Sequence, residues 1–227
     1  MAQIRLNKFL AERLGLSRRE ADDLISSKKA KINGKIAEIG AKISPEDEIV
    51  VSGHIVPFEV KYTYLALNKP KNYVCSRKKQ DNSPTIYELL PKKYASLKTV
   101  GRLDKDSSGL ILLTNDGDFA FKMTHPKFTK TKVYEVELDR NLAPLHQQMI
   151  SDFGVNLNDG ISKLGLLNLS KSPEHRKNWQ VTMQEGRNRQ IRRTFAALGY
   201  TVVSLHRTGF GPYALNNLPP GEFLILQ

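Results

Sequence analysis

Apolar residues recur at helical spacing near the N-terminus. Leu6, Phe9, Leu10 and Leu14 form one stripe, with Arg5, Lys8 and Arg13 off it. Gly15 closes this helix. Ser17-Arg18-Arg19-Glu20 then reads as a capping box, Ser17 bonding forward and Glu20 back, and opens a second helix that turns Ala21, Leu24 and Ile25 inward. Its basic end, Lys28-Lys29, suits the negative pole of the helix dipole. Lys31-Ile32-Asn33-Gly34-Lys35-Ile36 predicts a hairpin, because a two-residue turn needs positive φ at both central positions and Asn-Gly tolerates it. Ile43 and Glu48-Ile49-Val50-Val51 complete a small sheet.

From Tyr64 onward the pattern changes to strands. Tyr64-Leu65-Ala66-Leu67-Asn68-Lys69 is closed by Pro70, which cannot donate to a ladder. Lys71 to Ser83 is polar and reads as a surface loop. Leu110 to Leu113, bounded by Gly109 and the turn Asn115-Asp116-Gly117, predicts a buried strand. Phe119 to Met123 reads as a short helix started by Asp118 and ended near His125-Pro126. Lys132 to Leu138 alternates, with Tyr134, Val136 and Leu138 on one face. Leu142 to Ile150 predicts a helix, and Leu164, Leu166 and Leu169, then Trp179, Val181 and Met183, predict two strands. Ile191, Phe195 and Leu198 form a helical stripe with Gly199 as its left-handed cap. Thr201 to Leu205 follows as a strand, with Val203 and Leu205 on one face.

A chain of 227 residues has room for a sizeable core and a small appended module. Its 35 Lys+Arg against 23 Asp+Glu leave a formal charge of +12, which points to a polyanionic partner, since each phosphate neutralised releases a counterion. Charge alone fits a merely basic soluble protein equally well. The first 58 residues hold ten Lys/Arg and eight Asp/Glu, so +10 of the charge belongs to the rest. The larger part of the chain is therefore itself expected to lie on nucleic acid. Cys75 is the only cysteine, which excludes an internal disulfide and a cysteine metal cluster and fits a reducing compartment. Met1 to Leu10 lacks an apolar signal core and no run approaches a membrane span, so the expectation is a cytoplasmic, soluble monomer with no membrane partner.

The densest chemistry lies between Val100 and Gly117. Asp104-Lys105-Asp106-Ser107-Ser108-Gly109 imitates the opening of a calcium loop, but that loop needs a bidentate Glu at its twelfth position, where Asn115 stands. Metal-assisted phosphate chemistry would bring further carboxylates or a Gly-rich loop ending in Lys-Ser/Thr, and the sequence has no such loop. No metal site is expected. The residues alone leave two readings of Asp104: a catalytic carboxylate held on a tight loop, or a side chain that caps or neutralises an Arg. Arg189, Arg192 and Arg193, three or four residues apart, share a helix face and can grip phosphate or a carboxylate.

Two resemblances organise these pieces. Arg5-Leu6-Asn7-Lys8-Phe9-Leu10, Ser17-Arg18-Arg19-Glu20-Ala21 and Ile32-Asn33-Gly34-Lys35 resemble the alpha-L RNA-binding module found in a primary-binding ribosomal protein of the small subunit. That resemblance implies that Arg5, Lys8, Arg18, Arg19, Lys31 and Lys35 face structured RNA. Gly101-Arg102-Leu103-Asp104, Ser108-Gly109-Leu110 and Leu113-Thr114-Asn115-Asp116-Gly117 resemble the signature of the RsuA family of ribosomal-RNA pseudouridine synthases. Asn68-Lys69-Pro70, Lys132-x-Tyr134-x-Val136, Glu185-Gly186-Arg187-x-Arg189-Gln190-Ile191-Arg192-Arg193 and Leu205-x-Arg207 match its other motifs, in order. Ser107 and Thr194 stand where the family pattern has Thr and Met.

The resemblance implies an α+β chain, with a small alpha-L domain over residues 1–58 and a larger catalytic domain over 59–227 on a mixed, mainly antiparallel sheet with flanking helices. It implies isomerisation of uridine to pseudouridine in ribosomal RNA, by base flipping and without metal or cofactor. Asp104 would be the essential carboxylate, acting at the anomeric carbon or as base at the 2′ position. Burial opposes its ionisation, so a cation is needed beside it, and Arg192 is the matching family position. Tyr134 would stack on the base, Leu205 would pack beneath it, and Arg102 would hold the flipped nucleotide or the gap it leaves. Arg187, Arg189 and Arg193 would contact RNA. The Gly186-Arg187-Asn188-Arg189-Gln190 form leans toward the large-subunit RNA. The rival reading is a non-catalytic RNA-binding or ribosome-assembly protein, and a metal-dependent nuclease is a third.

Overall fold

The computed structural model describes residues 3–59, 61–77, 82–172 and 174–226. The first unit runs β1 (Ile4–Arg5), α1 (Leu6–Arg13), α2 (Arg18–Ser26), β2 (Ala30–Ile32), β3 (Lys35–Ile36), β4 (Lys42–Ile43), β5 (Ile49–Val51) and β6 (His54–Ile55). Ser17 Oγ accepts from the Glu20 amide at 3.2 Å while the Glu20 carboxylate accepts from the Ser17 amide at 2.6 Å, so the capping box forms as read. Asn33 and Gly34 take φ of +49° and +80° and close the β2–β3 hairpin. Leu6, Phe9, Leu10, Ala21, Ile25, Ile43 and Ile49 make a separate core, which ends at Phe58, its ring centroid 4.5 Å from that of Phe9. Leu14 leaves the predicted stripe. The helix stops at Arg13, so Leu14 is its cap and is 41% exposed.

The second unit contains β7 (Tyr64–Lys69), β8 (Lys98–Val100), β9 (Ser108–Thr114), α3 (Gly117–Thr124), β10 (Lys132–Leu138), α4 (Pro144–Gln148), β11 (Val155–Leu157) and β12 (Gly160–Ser162). It continues with β13 (Gly165–Asn168), β14 (Asn178–Met183), α5 (Gln190–Ala196), β15 (Val202–Phe210), β16 (Tyr213–Ala214) and β17 (Phe223–Ile225). The main sheet has the order β13-β14-β10-β15-β9-β7-β17. Its pairs are antiparallel except β15 with β9, which is parallel, so the sheet is mixed and the fold α+β. β7 and β9 read as continuous apolar runs because both of their faces are covered. Leu65, Leu67, Ile111 and Leu113 enter one core, and Ala66, Leu110 and Leu112 enter the other. No helix among the described residues is long and apolar enough to cross a membrane.

Two local expectations change. Asp116, not Asp118, caps α3, its carboxylate accepting from the Asp118 and Phe119 amides at 2.9 and 3.0 Å. Val203 and Leu205 do not share a face: a register shift opposite Glu137 and Leu138 makes Val203 the extra residue of a bulge, 52% exposed, while Leu205 stays buried. In the predicted loop Lys71 to Ser83, residues 78–81 lie outside the described residues, while Val74 pairs with Thr85. The two units touch directly. Lys8 Nζ lies 2.5 Å from Asp118 Oδ1, Lys98 Nζ donates to the Leu16 carbonyl at 2.6 Å, and Arg77 donates to the Gly15 carbonyl at 3.2 Å.

Candidate active site

The loop between β8 and β9 is pinned from below by the end of β7. Lys69 is fully buried, and its ammonium donates to the Ser107 carbonyl at 2.6 Å and the Pro70 carbonyl at 3.0 Å. Burial pushes its pKa down, opposed by the charges of Asp106 and Asp104. The Asn72 amide adds a bond to the Lys105 carbonyl at 2.7 Å, and the Leu103 amide donates to Cys75 Sγ at 3.5 Å. Gly109 lets β9 lie against β15. Its φ is +106°, and a Cβ there would come within 2.2 Å of the Arg207 carbonyl oxygen.

On this loop the two aspartates meet different arginines. Asp104 lies 3.5 Å from Arg189, whose guanidinium grips Asp106 through two bonds of 2.9 and 3.1 Å. Arg192, expected beside Asp104, instead brings Nε to 3.3 Å from Asp106 Oδ2 and spends its terminal nitrogens on the Asp106 and Val202 carbonyls. The reason is backbone geometry. Arg189 takes a left-handed φ of +45° just ahead of α5 and leaves the helix toward the loop, whereas Arg192 sits one turn further in. Asp106 is held below the ordinary Asp range by the Arg189 hydrogen bonds, against its partial burial and with help from the Arg192 charge. Burial pushes Arg192 downward, and the charge of Asp106 offsets this.

Asp104 is 37% exposed at its side chain and faces a cleft of about 340 Å³, near the small end of the roughly 300–1,000 Å³ typical of ligand sites. Among the described residues, Asp104 is the only carboxylate that lines it. The floor comes from the β10–β15 register, with Tyr134 opposite Arg207 and Val136 opposite Leu205. A second bulge, opposite Val133 and Tyr134, lets Arg207 and Phe210 both face the cleft. Tyr134 and Leu205 are 8% and 7% exposed, so each offers one narrow apolar surface to the cavity. Arg102 is exposed at the mouth.

The expected RNA contacts divide. Arg5, Arg18, Arg19, Lys31 and Lys35 are exposed on the first unit. Lys8 is not among them: its ammonium is engaged by Asp118, in the first turn of α3, and, at 3.9 Å, by Glu12. Arg187 and Arg193 hold Asp159 at 2.9 and 2.7 Å, clamping the β11–β12 hairpin rather than presenting free charge. Arg189, Arg192 and Arg193 therefore do not act as one face, because the first two converge on Asp106 and the third turns to Asp159. Sequence reasoning gave no role to Lys69, Lys132, Asp106 or Arg207. A lysine closing a strand otherwise built of Tyr, Leu, Ala and Asn was the available sign for Lys69.

The whole chain is similar to known proteins. The family described as RNA pseudouridylate synthase matches residues 63–197, and the S4 domain matches residues 4–49. The chain is 38% identical over 227 residues to ribosomal small subunit pseudouridine synthase A of Pasteurella multocida, covering 99% of this chain and 96% of that one. It is 35% identical over 222 residues to ribosomal large subunit pseudouridine synthase B of Bacillus subtilis, covering 96% and 90%. A crystal structure of a pseudouridylate synthase superposes with a TM-score of 0.70 at 36% identity, covering 99% of this chain and 96% of that one.

Proposed function

The chain belongs to the RNA pseudouridylate synthase family, and on that premise we propose that it isomerises uridine in ribosomal RNA with Asp104 as the essential carboxylate. The carrying observation is that, among the described residues, Asp104 is the only acid lining a cleft whose floor is Tyr134 and Leu205. The reaction breaks the bond from N1 to the ribose, turns the base and rejoins it through C5. It is redox-neutral. Asp104 attacks the anomeric carbon or takes the 2′ proton. Arg189 supplies the adjacent positive charge, and Arg192 holds the loop through Asp106. Tyr134 stacks on the base while Leu205 packs beneath it. Arg102, at the mouth, holds the flipped nucleotide or fills its gap, which offsets part of the few kcal/mol that flipping costs. The open side of Asp104 assigns water exclusion to the bound RNA itself.

The S4 domain brings Arg5, Arg18, Arg19, Lys31 and Lys35 to the same RNA. The protein acts as a monomer in the cytoplasm, where the ribosomal RNA is. Relatives named for both subunits match at similar identity, which gives the large-subunit RNA no advantage. Release of tritium from 5-tritiated uridine in each ribosomal RNA tests the reading, because isomerisation displaces that atom while binding and strand cleavage do not. Asp104→Asn is expected to abolish release and leave RNA affinity nearly intact. Turnover in that variant removes Asp104 from its role.

A further inference from the structure

We propose that Lys132 and Arg207 form a cationic floor that holds the uracil while it is detached from the ribose as an anion; this rests on the synthase reading above. Arg207 is 2% exposed, and its Nε donates to the Leu110 carbonyl at 2.8 Å. One of its terminal nitrogens is buried without a partner, and no carboxylate of the described residues comes within 4.0 Å of it. Lys132 spends one proton on the Glu185 carbonyl at 2.8 Å and likewise meets no described carboxylate within 4.0 Å. Both cations lie against the Phe210 ring, 4.9 and 5.7 Å from its centroid. By contrast Arg187 and Arg189, which line the same cleft, are each matched by an aspartate.

A buried cation without an anion is costly, so its persistence at a ligand site calls for a negative charge that is present only part of the time. The reaction supplies one. When the C1′–N1 bond breaks, its electron pair stays on the uracil and spreads over N1, O2 and O4. C1′ then either bonds to Asp104 or forms a double bond to C2′ after Asp104 has taken the 2′ proton. On return C5 donates a pair to C1′ as the bond from C1′ to Asp104 breaks, or as Asp104 gives its proton back to C2′; the C5 hydrogen then leaves as a proton and N1 takes one up. Lys132 and Tyr134 share one face of β10, and Leu205 and Arg207 one face of β15, with Tyr134 opposite Arg207. A base resting on Tyr134 and Leu205 therefore lies beside both charges. Fixed cations in such a place need no reorganisation as the anion forms.

The test uses the full chain and transcribed ribosomal RNA, carrying either 5-tritiated uridine or 5-fluorouridine. Arg207→Gln and Lys132→Met are each expected to lower the single-turnover rate about 100-fold, within the range seen when one charge-stabilising donor is removed. RNA affinity is expected to change little. With 5-fluorouridine, consumption is followed by nucleoside chromatography, and the electron-withdrawing fluorine should shrink both defects because it eases departure of the base. Arg207→Lys, which keeps the charge, should recover part of the rate. Undiminished rates, equal defects on both RNAs, or affinity falling in step with rate overturn the proposal. If Arg207→Gln fails to fold, Lys132→Met, at a half-buried position, decides alone. Wild-type protein that releases no tritium from tritiated RNA of either ribosomal subunit overturns the synthase reading itself, a failure distinct from these.

Discussion

Asp104 and Asp106 stand two residues apart, yet only Asp104 faces the cleft. Asp106 is spent on structure, held by Arg189 and Arg192 so that the loop keeps one shape. Replacing it with Asn weakens both grips and lets Arg189 move relative to Asp104. Asp106→Asn is therefore expected to lower the single-turnover rate by about 100-fold, the loss that a misplacement of about 1 Å brings, with RNA affinity held. A full rate in this variant shows that the loop is positioned without it. The sign of the pH effect follows from the depressed carboxyl. Asp106 adds stability that is fully present above the ordinary Asp value of 3.8 and is lost as pH falls through its lower folded value. Acid unfolding followed by circular dichroism should show less acid-side dependence in Asp106→Asn than in the wild type.

At the scale of elements, Gly109 decides whether β9 and β15 can pair in parallel beside the loop. Gly109→Ala forces a Cβ to 2.2 Å from the Arg207 carbonyl oxygen at φ +106°. This is expected to cost at least about 2 kcal/mol, as strain in such backbone regions does. A urea midpoint equal to wild type shows that the pair can yield. The same crossing explains what the sequence pattern could and could not show. The capping box at Ser17, the Asn33-Gly34 turn and the alternation of Tyr134, Val136 and Leu138 are local signals, and each forms where it was read. The pairing of Arg189 with Asp106 spans 83 residues, and it depends on the β9–β15 contact and on one left-handed residue ahead of α5. No window of sequence contains both facts, so Arg192, the position the family resemblance supplied, was expected beside Asp104 rather than Arg189. The bulges in β15 are equally silent in a period-two reading, and they decide that Val203 faces out while Arg207 and Phe210 face in.

For the whole molecule, charge and packing point to a division of labour between the units. Their cores are separate, one ending at Phe58 and the others starting at Leu65, and the polar contacts from Lys8, Arg77 and Lys98 dock one on the other. Residues 59–227 keep +10 of the +12 net charge. Removal of residues 1–58 should therefore leave a folded fragment, seen as one cooperative melting transition, that still binds RNA weakly. If Arg5, Arg18, Arg19, Lys31 and Lys35 each neutralise a phosphate, the slope of log affinity against log salt should flatten by about 4, at 0.7 to 0.9 per contact. At saturating RNA the single-turnover rate of the fragment should match the full chain, because no residue lining the cleft comes from the first unit. An unchanged slope removes those five side chains from the RNA, and a lower saturated rate means that the S4 domain shapes the cleft as well as delivering its substrate.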